Sequence, residues 1–144
     1  MQDLIEAARA AARHAHAPYS RFAVGAAVRL TNGSVVTGAN FENASYGLSL
    51  CAETVALATV NAQGCLRDVA EIAVIGGALV DGEARGAAIV RPCGRCRQIL
   101  NEAAQLGGCD FPVHSAAAEG DAVETRTVSQ LLPDAFGPAD LGLG

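Results

Sequence analysis

Along residues 2–16 the apolar positions Leu4, Ile5, Ala8, Ala11 and Ala12 recur at the three-and-four spacing of one helix face. The pattern predicts a helix that Pro18 ends. From residue 22 the pattern changes. "FAVGAAVRL" (22–30) and "VVTGAN" (35–40) flank the turn "TNGS", which predicts a β-hairpin with positive φ angles supplied by Asn-Gly. A polar loop, "NFENASYGLS", leads to a predicted helix at about 51–62 that Gly64 closes. "VAEIAVIGG" (69–77) is a run of buried-strand type, followed by a loop rich in glycine and charge. "PCGRCRQILNEAAQL" (92–106) reads as a helix with proline at its start and Gly107 and Gly108 past its end. "DFPVHSA" (110–116) and "AVETRTV" (122–128) read as strands, and "VSQLLP" (128–133) as a short helix.

Hairpin, helix, strand, helix, strand in that order implies an α/β fold, with a mixed sheet and helices on both faces. With no linker, internal repeat or low-complexity tract, the 144 residues are expected to form one domain over 1–144. Hydrophobic residues make up 51% of the chain, yet no run approaches the ~18 apolar residues of a membrane span. The first residues carry Asp3 and Glu6 and lack the basic-then-apolar order of a secretion signal, so the expected location is cytoplasmic. Ten basic against 15 acidic residues give a net charge of −5, the wrong balance for holding a phosphate backbone. Tryptophan is absent, so platforms for stacking a nucleic-acid strand are scarce. The composition favours a small neutral ligand, with neither nucleic acid nor membrane as partner.

Five cysteines in a chain of this kind point to metal or redox chemistry rather than a disulfide framework. In "RPCGRC", Cys93 and Cys96 lie one turn apart at a helix start, so their sulfurs can converge on one ion. The pair alone reads equally well as a redox motif. Cys51, at the start of another predicted helix, is the candidate third ligand, leaving the open position that a catalytic zinc needs. Helix N-termini also favour thiolates. Glu53, two residues from Cys51, can reach a metal-bound water without binding the metal. "CAE" followed by "PCGRC" matches the signature of zinc deaminases, in which the glutamate is the general acid and base.

Four segments in order, "PYSRFAVGAAV" (18–28), "GANFENASYGLSLCAE" (38–53), "PCGRCRQIL" (92–100) and "LLPDAFGPADL" (131–141), resemble the small homotetrameric cytidine deaminases over nearly the whole chain. The resemblance implies a three-layer α/β/α fold around a mixed five-stranded sheet. It implies one zinc per subunit on Cys51, Cys93 and Cys96, with Glu53 as proton shuttle in the deamination of cytidine and 2′-deoxycytidine, a reaction of pyrimidine salvage. Asn40 and Glu42 would bind the ribose 3′-hydroxyl, Phe22 would pack on the pyrimidine, and the Ala52 N–H would meet the base carbonyl. Tyr46 and Phe136 are similar to residues that enter a neighbouring subunit's site. Many relatives carry an arginine where this chain has Thr54. Three thiolates on a divalent ion leave the centre negative, and Arg97 is the expected donor of a compensating hydrogen bond to sulfur, ahead of Arg95.

Three other readings compete. A nucleotide or polynucleotide deaminase would want basic partners for phosphate. A blasticidin-type deaminase shares "PCGRCRQ" but has less use for the Asn-x-Glu of "NFEN". A non-catalytic zinc-stabilised binding protein leaves Glu53 without a role.

Overall fold

The computed structural model describes residues 1–143. Its elements are α1 (Gln2–Ala12), β1 (Phe22–Leu30), β2 (Val35–Ala39), α2 (Ala52–Ala62), β3 (Val69–Val80), β4 (Glu83–Arg85), α3 (Gly94–Gly107), β5 (Pro112–Ala117), β6 (Val123–Thr127) and α4 (Val128–Leu131). Single 3-10 turns lie at Tyr46–Leu48, Leu66–Asp68 and Pro138–Leu141. Five strands run in the order β2-β1-β3-β5-β6, and β4 pairs with β3 beside this path. β3 and β5 are parallel and the other pairs antiparallel, so the sheet is mixed, as expected.

Strand alternation divides the core between two faces. On one face Ala27, Ala73, Ile75 and Ala116 pack against Leu4, Ile5, Ala8 and Ala12 of α1. On the other, Ala26, Val28, Ile72, Val74 and Val113 meet Ala56, Leu57 and Val60 of α2 and Leu100 and Ala103 of α3. These are the three layers. The seat of α2 is unusually close. A Cβ at Gly38 of β2 would lie 2.6 Å from both Ala52 O and Ala56 N, so only glycine lets the first turns of α2 rest on the strand backbone.

Three boundaries differ from the sequence reading. α1 stops at Ala12 rather than 16: Arg13 and His14 make tighter bonds to Ala10 O and Ala11 O, and the His16 N–H leaves for Asn40 O at 2.9 Å. The hairpin turn takes positive φ at Gly33 alone, with Leu30 and Ser34 closing a three-residue loop. β3 runs on past residue 77 to Val80, and β4 returns along it from what reads in sequence as a loop. The reversal is a two-residue turn in which Asp81 (φ 51°) and Gly82 (φ 79°) are both left-handed, the conformation that Asp-Gly favours.

Candidate active site

α2 and α3 follow sheet elements and bring their N-termini together. Cys51 caps α2 and Cys93 caps α3 in extended conformation, while Cys96 lies in the first turn of α3. Their three sulfurs lie within 4.8 Å of one another. Two tetrahedral Zn–S bonds of ~2.3 Å hold their sulfurs ~3.8 Å apart, and Cys51 Sγ and Cys93 Sγ stand 3.8 Å apart. Soft thiolate donors in this arrangement fit zinc. The Cys51 thiol is lowered to about 6, chiefly by a hydrogen bond from Cys96, with Cys93 and the positive charge of Arg95 adding to it. Cys96, the donor to Cys51 and itself buried, is pushed up. The remaining cysteines, Cys65 and Cys109, stand outside this cluster.

Glu53 is only 3% exposed. Burial pushes its carboxyl up, with the Cys51 charge acting in the same direction and its own backbone N–H opposing. The carboxylate opens on a cavity of about 280 Å³ that also touches Cys51, Cys93, Asn40 and Glu42. Val24, Val74 and Val90 supply apolar wall, and Arg91 lines the cavity as well. A second cavity of about 350 Å³, bordered by Tyr19, Ser20 and Tyr46, shares Glu42 and Ser49 with the first.

Asn40 and Glu42 are held firmly. Asn40 Oδ1 accepts from Val24 N–H and its Nδ2 donates to Phe22 O, both at 2.9 Å. Glu42 Oε1 accepts from the N–H groups of Tyr19 and Ser20 at 3.0 and 3.1 Å. The Ser20 hydroxyl and these backbone donors keep the Glu42 carboxyl below its usual range. One N–H of Asn40 has no protein partner among the described residues, and both backbone donors to Glu42 go to Oε1 and not Oε2. Ala52 opens α2, so its N–H belongs to the first turn, where N–H groups have no helical acceptor. Phe22 lines neither cavity; its ring lies over Gly76, whose Cβ would meet it at 3.1 Å, beside the wall residues Val24 and Val90.

Tyr46 and Phe136 do not line the cavity that holds Glu53 and are 73% and 63% exposed. Tyr46 tilts against Tyr19 with ring centroids 5.6 Å apart. The segment around Phe136 docks on α3: its carbonyl accepts from Gln98 Nε2 at 2.7 Å and Asn101 Nδ2 at 3.3 Å. Thr54 Oγ1 lies 3.7 Å from Cys96 Sγ. Arg97 does not meet a sulfur. Its Nε donates to Pro92 O at 2.9 Å and its NH1 to Leu131 O at 3.0 Å, so it braces the turn before Cys93 instead. Of the two arginines, Arg95 is the one whose charge reaches a thiolate. Arg91 went unnoticed in sequence, although its place beside Pro92 in "RPCGRC" puts it next to the ligands.

Three thiolates converging at two helix starts, with a buried carboxylate opening on the same cavity, define a zinc-dependent hydrolase. Residues 1–106 match the cytidine and deoxycytidylate deaminase zinc-binding region, which spans all three cysteines and Glu53. The chain belongs to that zinc-binding deaminase family. It is 46% identical to a cytidine deaminase of Halalkalibacterium halodurans over 140 residues, covering 97% of this chain and 96% of that protein. It is 44% identical to a cytidine deaminase of Mycobacterium tuberculosis over 131 residues, covering 91% and 85%. The crystal structure of cytidine deaminase from Burkholderia pseudomallei superposes with a TM-score of 0.79 at 43% identity, covering 94% of this chain and 98% of that one.

Proposed function

We propose that this chain hydrolyses cytidine and 2′-deoxycytidine at C4, giving uridine or 2′-deoxyuridine and ammonia, and serves pyrimidine salvage in the cytoplasm. The observation that carries the reading is Glu53, 3% exposed yet facing a cavity that it shares with Cys51 and Cys93. A carboxylate desolvated in this way has no structural salt-bridge partner among the described residues and suits proton transfer.

Cys51, Cys93 and Cys96 would hold zinc, which supplies a Lewis acid that makes water a nucleophile near neutral pH. Glu53 takes a proton from the attacking water and delivers it to ring N3, leaving C4 electron-poor. It then carries a proton to the amino nitrogen as the C4–N bond breaks, so one group acts as base and then acid. The Ala52 N–H meets the base carbonyl, and Phe22 packs on the ring. The free N–H of Asn40 and Glu42 Oε2 take the ribose 3′-hydroxyl. The test is loss of cytidine absorbance on incubation with the zinc-loaded protein, over a panel of nucleosides and nucleotides. No change with cytidine or 2′-deoxycytidine would overturn the reading.

The same reading includes a homotetramer with shared sites. Tyr46, Leu48 and Phe136 are each at least 63% exposed, more apolar surface than an isolated chain comfortably leaves in water. Sedimentation at assay concentration checks it, and an active monomer would refute it.

A further inference from the structure

We propose that Arg91, clamped by Glu124, is the wall that limits which substituents the leaving nitrogen can carry. The inference rests on the reading above, and its argument is the direction in which a pyrimidine nucleoside must lie. Asn40 and Glu42 border the cavity on the β2 side of the sheet. Arg91 borders it two residues before Cys93, and its partner Glu124 belongs to β6, the opposite edge strand. In a pyrimidine nucleoside the sugar-bearing N1 and the amino-bearing C4 stand across the ring from each other. A sugar held at Asn40 and Glu42, with C4 at the three sulfurs, therefore sends the C4 amino group toward Arg91.

The wall is well fixed. Arg91 Nε donates to Glu124 Oε1 at 2.9 Å and Arg91 NH2 to Glu124 Oε2 at 2.7 Å, the two-point geometry that holds a guanidinium plane in place. The pair ties the loop before α3 to β6, a link across 33 residues of sequence. Arg91 lines the cavity while its side chain stays 48% exposed. Replacing it with a small residue would remove that part of the cavity wall.

The class of substrate this admits is cytidines alkylated on N4. Water adds its oxygen to C4, the C4–N4 bond breaks, and the amine leaves with the second proton, so that N4-alkylcytidine and water give uridine and an alkylamine. No further reactant is needed. Glu124 touches no substrate and is a positioning residue acting through Arg91.

The experiment measures kcat/KM for N4-butylcytidine, N4-methylcytidine and cytidine on the same zinc-loaded samples. Arg91→Ser is expected to raise the N4-butylcytidine-to-cytidine ratio about tenfold or more, with N4-methylcytidine intermediate. Glu124→Gln, which leaves the chain beside Cys93 untouched, should raise it less. The double variant should match Arg91→Ser, because Glu124 acts through the arginine. A general loss of stability or metal lowers all three rates together and leaves the ratios alone. An unchanged ratio in both single variants, with cytidine turnover intact, overturns this inference alone. Should Arg91→Ser fail to fold, an unchanged ratio in Glu124→Gln is sufficient to do so. Absence of cytidine turnover in the parent protein overturns the proposed function instead.

Discussion

Thr54 Oγ1 stands 3.7 Å from Cys96 Sγ, so the residue after the buried carboxylate places a hydroxyl beside the most buried sulfur of the cluster. Three thiolates on a divalent zinc carry a net charge of −1, and a neutral hydroxyl offsets that only in part. The two helix N-termini and the charge of Arg95 share the task. Thr54→Val keeps the shape and removes the donor. We expect zinc to be held about tenfold more weakly, the low end of what partners of metal ligands contribute. Chelator competition reads this directly, and unchanged affinity would show that the hydroxyl only fills space.

Glu53→Gln keeps the volume of the side chain but cannot move a proton. Zinc content by elemental analysis should stay near one per chain, while kcat for cytidine falls about 10²–10⁴-fold. Retained turnover would place the base elsewhere.

If the free edges of Asn40 and Glu42 hold the 3′-hydroxyl, 3′-deoxycytidine should be a poor substrate and 2′-deoxycytidine a good one. A hydrogen bond to a charged group contributes roughly 1.5–3 kcal/mol, about 10- to 150-fold in kcat/KM. Equal efficiency for the two deoxynucleosides would remove the clamp from the account.

Arg97→Gln takes the donors from Pro92 O and Leu131 O. The expected result is a loss of about 1–3 kcal/mol in stability, read by urea unfolding. The pH dependence of turnover should stay where it was, since the guanidinium touches no sulfur. A shifted profile would contradict the structural assignment.

His114 and Glu71 form a second polar cluster, away from the catalytic cavity. His114 Nε2 and Glu71 Oε1 are 2.8 Å apart, and Arg29 Nε donates to Glu71 Oε2 at 3.1 Å. Burial raises the Glu71 carboxyl, but the hydrogen bonds and charges of His114 and Arg29 more than offset it, leaving the pKa lowered. A lowered folded-state pKa stabilises above the unfolded value of ~4.3, and the gain is lost as pH falls through the folded value. Unfolding stability should therefore drop more steeply below about pH 4 in the parent protein than in Glu71→Gln. Parallel curves would show that this cluster does not set the acid limit.

The convergence of Cys51, Cys93 and Cys96 was legible because helix starts and close cysteine spacing are local signals. So were the hairpin and the periodic helices, whose patterns repeat within a few residues. β4 was obscured because "DGE" lies among glycines and charges and its strand is three residues long. Arg97 was misassigned for a different reason. Position in a motif fixes its Cα, but its long side chain answers to Leu131, 34 residues further on. The Arg91 clamp depends in the same way on a carboxylate from β6, and no spacing within "RPCGRC" announces it.

Cys51 and Cys93 are separated by 42 residues, and between them lies β3, the strand that pairs on one side with β1 and on the other with β5. The three sulfurs are thus neighbours across the folded sheet and not along the chain. Cys93 and Cys96, by contrast, are adjacent from the moment α3 forms its first turn. Two of the three sulfurs are thus brought together by a single helix turn, and the third only by the tertiary fold. A complete site therefore needs the sheet as well as α3, and metal affinity reads the integrity of the core as much as that of the ligands.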